Sequence, residues 1–212
     1  MNYKIILIIL LFFNIQYVSS FSIEPDVFVQ STVNRASAVL SKNISKTEKI
    51  NELKIIAKET VDIEGIGFYT LSNYRKDMNE DELSKYADLF EQYFLKSFSS
   101  RLAEYTNPEI RVNSKEVLSD NYTIVNSVLK GTSERPEVKI DWRIYTKNPE
   151  SPLIRDLIIE GLSLARTQKE EFASIINSNN GNFKVLFKTL EEFIKTKFLV
   201  GPPGLEPGTN TL

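Results

Sequence analysis

Residues 139–177, KIDWRIYTKNPESPLIRDLIIEGLSLARTQKEEFASIIN, decide the fold class. Val138, Ile140, Trp142 and Ile144 alternate with Lys139, Asp141, Arg143 and Tyr145, the period-2 pattern of a strand with one apolar face. The segment Asn148-Pro-Glu-Ser-Pro152 interrupts that pattern, and Leu153 to Glu160 reads as the return strand of a hairpin. After Gly161 the period lengthens to that of an amphipathic helix through Asn177. Two strands followed by a helix that must bury one face against them make the seed of an α+β domain.

Upstream, the pattern is helical. Pro25 and Asp26 open a helix running to about Ser41, with Val29, Val33, Ala36 and Leu40 near one face. Ser45-x-x-Glu48 and Asn79-x-x-Glu82 are capping-box signatures, each starting a further helix. Residues 61–78 are expected to be helical as well, although Gly65 and Gly67 weaken the first turn. The helix after Asn79 carries Leu83, Tyr86, Phe90, Phe94, Phe98 and Leu102 on a wide apolar face and stops before Asn107-Pro108. Strands are expected at 110–113, 122–130, 138–146 and 153–160, joined by short turns, followed by helices at 162–177 and 183–197. The expected fold is α+β, with helices packed on one face of a four-stranded antiparallel meander.

The ends are expected to stand outside this domain. Residues 1–20 combine Lys4, an apolar run at 5–13 and Val18-Ser19-Ser20, the three parts of an export signal. The apolar run is well short of the ~20 residues that cross a bilayer. Residues 21–199 are expected to be a single domain. Residues 200–212, rich in Pro and Gly, show no apolar periodicity; the expectation is a disordered tail that looks like a non-native extension.

Composition removes most chemistry. The chain has no Cys and no His, so thiol nucleophiles, His-activated nucleophiles and Cys- or His-ligated metal sites are excluded. A formal net charge of −2 with scattered Lys and Arg gives no nucleic-acid footprint. Asp156 and Glu160 are the paired carboxylates to weigh. On one strand at i, i+4 they stand about 13 Å apart, too far for the usual two-carboxylate hydrolysis. Structural pairing with Arg143, Arg155 or Arg166 is the expected role. The expectation is a binding protein, not an enzyme, with no metal or cofactor.

Taken together, Asp156-x-x-x-Glu160-Gly-x-Ser163-Leu164, Gln168-x-x-x-Phe172, Val138-x-Ile-Asp-Trp-Arg143 and Leu83-x-x-Tyr-Ala-x-x-Phe-x-x-Tyr-Phe94 resemble the periplasmic phospholipid-carrier family typified by MlaC, the toluene-tolerance proteins. Their order and spacing carry the resemblance from about Asp62 to Phe193. It implies a soluble periplasmic carrier of diacyl phospholipid, helping to maintain outer-membrane lipid asymmetry. The implied partners are an inner-membrane ABC-type transporter and an outer-membrane lipoprotein/porin complex. An apolar cavity between helices and sheet is implied as well. The alternative is an exported protein-binding module with a fully packed core and no lipid.

The chain has material for such a cavity in its 13 Phe and 9 Tyr. A packed core and a cavity share one signature along the sequence, since both need apolar faces at the same spacing. If the resemblance holds, the tail-contacting residues are expected to be Phe68, Tyr69, Phe90, Phe94, Ile124, Trp142, Ile144 and Ile159.

Overall fold

The computed structural model of the chain describes residues 22–105, 107–133 and 136–196. The leader expected at residues 1–20 and the tail expected at 200–212 lie outside the described residues. In chain order come helices α1 (Pro25–Ser41), α2 (Lys46–Thr60) and α3 (Ile63–Leu71), a 3-10 segment (Ser72–Asp77) and α4 (Glu80–Leu102). Strands β1 (Ile110–Ser119), β2 (Tyr122–Leu129), β3 (Val138–Tyr145), β4 (Leu153–Ile159) and β5 (Leu162–Ser163) follow. Helices α5 (Leu164–Asn177) and α6 (Phe183–Lys195) complete the order.

Both capping boxes form. Ser45 Oγ accepts from the Glu48 amide at 3.2 Å while Glu48 Oε2 accepts from the Ser45 amide at 2.9 Å. Asn79 Oδ1 and Glu82 Oε2 repeat the exchange at 2.9 and 3.1 Å. Each box satisfies two amides that a helix start leaves unpaired. Glu80, Asp81 and Glu82 also place negative charge at the positive end of the α4 dipole. The helix expected across 61–78 is shorter than expected. It breaks at Ser72, where φ is 53°, and the following residues tighten into the 3-10 segment.

The sheet is an antiparallel meander in the order β1-β2-β3-β4-β5, one strand more than expected. Strand β5 returns from β4 through Glu160-Gly161, whose φ values of 49° and 84° suit a two-residue type I′ turn. Two residues are too few for alternation to register in a sequence. Strand β1 is also longer than the expected 110–113, continuing to Ser119 against β2. Its later residues are exposed on both faces, so no apolar pattern announces them.

Helix α1 covers β1 and β2, and α3 and α5 approach the sheet at β4. The long α4 packs on α2, α3 and α6 but stands back from the sheet. The core gathers Val125, Ile140, Trp142, Ile144 and Ile154 from the sheet with Tyr86, Phe90 and Tyr93 of α4. Phe172 and Ile176 of α5, with Leu186 and Leu190 of α6, close it from the other end.

Candidate functional site: an apolar cleft between the long helix and the sheet

Helix α4 presents an aromatic ladder. Tyr86, Phe90, Phe94 and Phe98 recur every four residues, and that spacing stacks side chains on one face. Ring centroids are 5.9 Å apart for Tyr86–Phe90, 6.1 Å for Phe90–Phe94 and 5.3 Å for Phe94–Phe98. Tyr86 and Phe90 are core residues, whereas Phe94 and Phe98 are half-buried. The exposed half of the ladder looks across a gap at Trp142 of β3 and Ile154 and Leu157 of β4.

That gap has two lobes. One, of about 120 Å³, runs along Phe90, Tyr93, Phe94 and Phe98 toward Ala165 and Gln168 of α5. The other, of about 180 Å³, extends beneath α1 and α2 to Ile140 and Ile159 of the sheet. They share Val61, Phe98, Arg101, Trp142 and Leu157, so they form one cleft with two branches.

The Trp142 indole and the Asp156 carboxylate, both on the cleft, are already bonded. The Trp142 indole N–H donates to Ser127 Oγ at 2.8 Å, and that hydroxyl donates to the Ile140 carbonyl at 2.9 Å. The ring's polar edge is thereby satisfied within the sheet. Asp156, 4% exposed, accepts from Ser163 Oγ at 2.6 Å and from the Ala165 amide at 3.0 Å. Ser163 is itself the N-cap of α5, accepting from the Arg166 amide at 3.1 Å. The carboxylate thus ties the start of α5 to β4, with the Arg143 guanidinium 3.8 Å away.

Glu160 lies beyond the end of β4 and accepts from the Lys139 amide. The expected arginine pairing therefore holds for Asp156, whereas Glu160 bonds to backbone. Both carboxylates have structural partners, and neither faces the other as an acid–base pair would.

On the α5 side, the Tyr93 hydroxyl donates to Gln168 Oε1 at 2.8 Å, and Gln168 Nε2 donates to Glu171 Oε2 at 3.0 Å. Burial pushes the Tyr93 phenol well above its ordinary value, the Glu171 charge adds to the shift, and the Gln168 bond and the Arg101 charge oppose it. Burial likewise raises the Glu171 carboxyl, offset in part by Gln168.

Four of the eight expected tail contacts come together on the cleft: Phe90, Phe94, Trp142 and Ile159. The other four lie elsewhere. Ile144 is fully buried in the core and lines neither lobe. Ile124 pairs across from Arg143, on the sheet face opposite to its neighbour Val125, which pairs across from Trp142. Phe68 is half-buried against the core. Tyr69 is 46% exposed and, with Arg143 and Arg155, borders an adjoining pocket of about 350 Å³, which shares Ile66, Asp156 and Ala165 with the smaller lobe.

Tyr93, Ser97, Arg101, Leu157 and Gln168 also line the cleft; Tyr93 and Gln168 stand in the motifs that carry the resemblance, but none of the five is among the expected tail contacts. Two signals mark some of them. Ser97 and Arg101 follow Phe94 at i+3 and i+7, and Leu157 shares the alternation of Ile159.

No curated protein matches the chain. Among solved structures it is similar to a phospholipid-binding protein from Ralstonia solanacearum, determined in complex with a phospholipid. The TM-score is 0.69 at 18% identity, over 81% of this chain and 97% of that one. At that identity the likeness is one of fold. The sequence model of the MlaC protein family matches residues 30–192, which span the helical half, the meander and most of α6. The chain belongs to the MlaC family.

Proposed function

We propose that this protein is a phospholipid carrier whose acyl chains occupy the cleft between α4 and the sheet. The observation that carries this reading is the two-branched apolar cleft, in a fold shared with a protein solved around a phospholipid. The physical demand is large. Two acyl chains hold roughly 30 methylenes, and at ~0.8 kcal/mol each their exposure to water costs on the order of 24 kcal/mol. A carrier must therefore surround both chains.

Lobes of about 120 and 180 Å³ are small beside the ~300–1,000 Å³ of ordinary ligand pockets. Loading therefore has to widen the gap by moving α4 outward from the sheet. Helix α4 suits that movement, because it is held by other helices instead of by the strands.

Export by a leader at residues 1–20, action in the periplasm, and exchange with an inner-membrane ABC-type transporter and an outer-membrane lipoprotein/porin complex belong to the same proposal. So does a role in keeping the outer membrane asymmetric. Catalysis has no place in it.

Native mass spectrometry of the protein purified from lipid-rich cells tests the central claim. The expected result is an added mass of one diacyl lipid. A clean apo mass would instead favour a packed protein-binding module. N-terminal sequencing tests export, with Phe21 expected as the first residue, and a membrane-bound chain retaining Met1 would defeat that part.

A further inference from the structure

The junction of the two lobes carries a single charge. Among the described residues lining either lobe, Arg101 is the only cation, and it borders both. It sits in the last turn of α4 and is exposed to solvent. Its position is three and seven residues after Phe98 and Phe94, on the face that looks into the cleft.

Arg101 has no ion-pair partner among the described residues, whereas Lys46 and Lys58 of α2 do. Lys58 reaches Glu91 at 2.5 Å, and Glu104, one turn beyond Arg101, faces Lys46 at 4.0 Å. The other charge on the smaller lobe, Asp156, is committed to Ser163 and Ala165. The negative end of the α4 dipole favours a cation at this position, but no carboxylate among the described residues neutralises the guanidinium at the rim of the apolar cleft. The arrangement suits an anion that arrives with an apolar ligand.

A diacyl phospholipid has that form, with one monoanionic phosphodiester next to the point where two apolar chains diverge. We propose that Arg101 is the phosphate contact of the loaded protein, its guanidinium pairing with the phosphodiester while one chain enters each lobe. This rests on the carrier reading and deepens it. Guanidinium geometry matches two phosphate oxygens at once, which a lysine in its place does not reproduce. The contact selects for a phosphodiester and is indifferent to the group beyond it.

Trp142, the chain's single tryptophan, lines both lobes, so its fluorescence reports filling of the cleft. The delipidated protein and Arg101→Gln are titrated with dioctanoyl phosphatidylglycerol, with dioctanoylglycerol, which lacks the phosphate, and with inorganic phosphate. Loss of the contact should weaken phosphatidylglycerol binding about three- to five-fold at low ionic strength, as expected for a partly exposed ion pair. The gap should close as salt rises.

Dioctanoylglycerol should bind both proteins alike, Arg101→Lys should restore part of the phospholipid affinity, and inorganic phosphate should neither change the fluorescence nor displace lipid. Thermal unfolding of Arg101→Gln should match the parent, since the side chain is exposed.

Equal phosphatidylglycerol binding by both proteins would overturn the Arg101 contact and leave the carrier reading standing. Displacement of the lipid by inorganic phosphate would mark a free-anion site and overturn it too. If the parent protein bound neither lipid, the carrier reading itself would fall and take the contact with it.

Discussion

Gly67 lies against the ring of Phe90. A Cβ built on Gly67 would come within 2.8 Å of Phe90 Cδ1, closer than real Cβ atoms approach, and within a tight 3.2 Å of Cγ. The glycine thus lets α3 and α4 pack together closely and leaves room for the core end of the aromatic ladder. This accounts for a poor helix former in the middle of a nine-residue helix.

Gly67→Ala sets two magnitudes against each other. Helix propensity favours Ala by about 1 kcal/mol, while overpacking typically costs about 1–3 kcal/mol. Phe90 is 2% exposed, with Tyr86 and Phe94 on either side, so its ring has little room to yield. We expect net destabilisation in thermal unfolding, recovered in part by Gly67→Ala with Phe90→Leu. A higher melting temperature for the single variant would show that the ring moves freely.

Two tryptophan insertions separate cleft from core. Leu157 is half-buried and lines both lobes, so Leu157→Trp should lower co-purified lipid with little loss of stability. Ile144 is fully buried and lines neither, so Ile144→Trp should overpack and cost about 1–3 kcal/mol. Melting temperature and extracted lipid, measured on both variants, check this. Unchanged lipid in Leu157→Trp counts against occupancy of the cleft.

Asp156→Ala removes the acceptor for the Ser163 hydroxyl and the Ala165 amide at a buried site. Leaving those donors unpaired should cost on the order of 3 kcal/mol. The denaturant midpoint should fall, with faster hydrogen exchange at the first amides of α5. A change within ~0.5 kcal/mol, the range of ordinary surface substitutions, would mean that the start of α5 does not depend on this carboxylate.

Glu171 supplies a pH signature. Its Oε1 is buried without a hydrogen-bond partner among the described residues, and burial raises its carboxyl above the ordinary 4.5. Between the unfolded and the raised folded value the native state binds more protons than the unfolded chain. Its contribution is therefore complete below the ordinary value and is lost as pH rises through the folded one.

Glu171→Gln cannot lose a proton, so its stability relative to the parent should improve from pH 4 to pH 7. The improvement should stay below about 1 kcal/mol, because the group is only half-buried. Paired unfolding curves at both pH values check this. A parallel pH dependence in the two proteins would place the ionised carboxylate in contact with water.

The order of helices and strands was legible in the sequence because it depends on local signals. Ser45-x-x-Glu48 and Asn79-x-x-Glu82 mark helix starts through bonds made within four residues. The alternation from Val138 to Tyr145 places Ile140, Trp142 and Ile144 on one face of β3 through backbone geometry alone. The absence of Cys and His likewise restricts the chemistry, because composition alone decides which reactive groups the chain owns.

Which apolar residues face a cleft and which fill the core was decided only by the tertiary structure. Trp142 and Ile144 share a strand face, yet only Trp142 meets the gap, because α4 stands back from the sheet where Trp142 lies. Ile124 and Val125 are adjacent and both buried; strand alternation sends them to opposite faces, but only the pairing of Val125 with Trp142 and of Ile124 with Arg143 decides which of them shares the Trp142 face. Arg101 became notable only when two lobes were seen to meet beside it. Periodicity records the direction of a side chain relative to its own element. A cavity is the distance between two elements, and that distance follows from how the helices rest on one another.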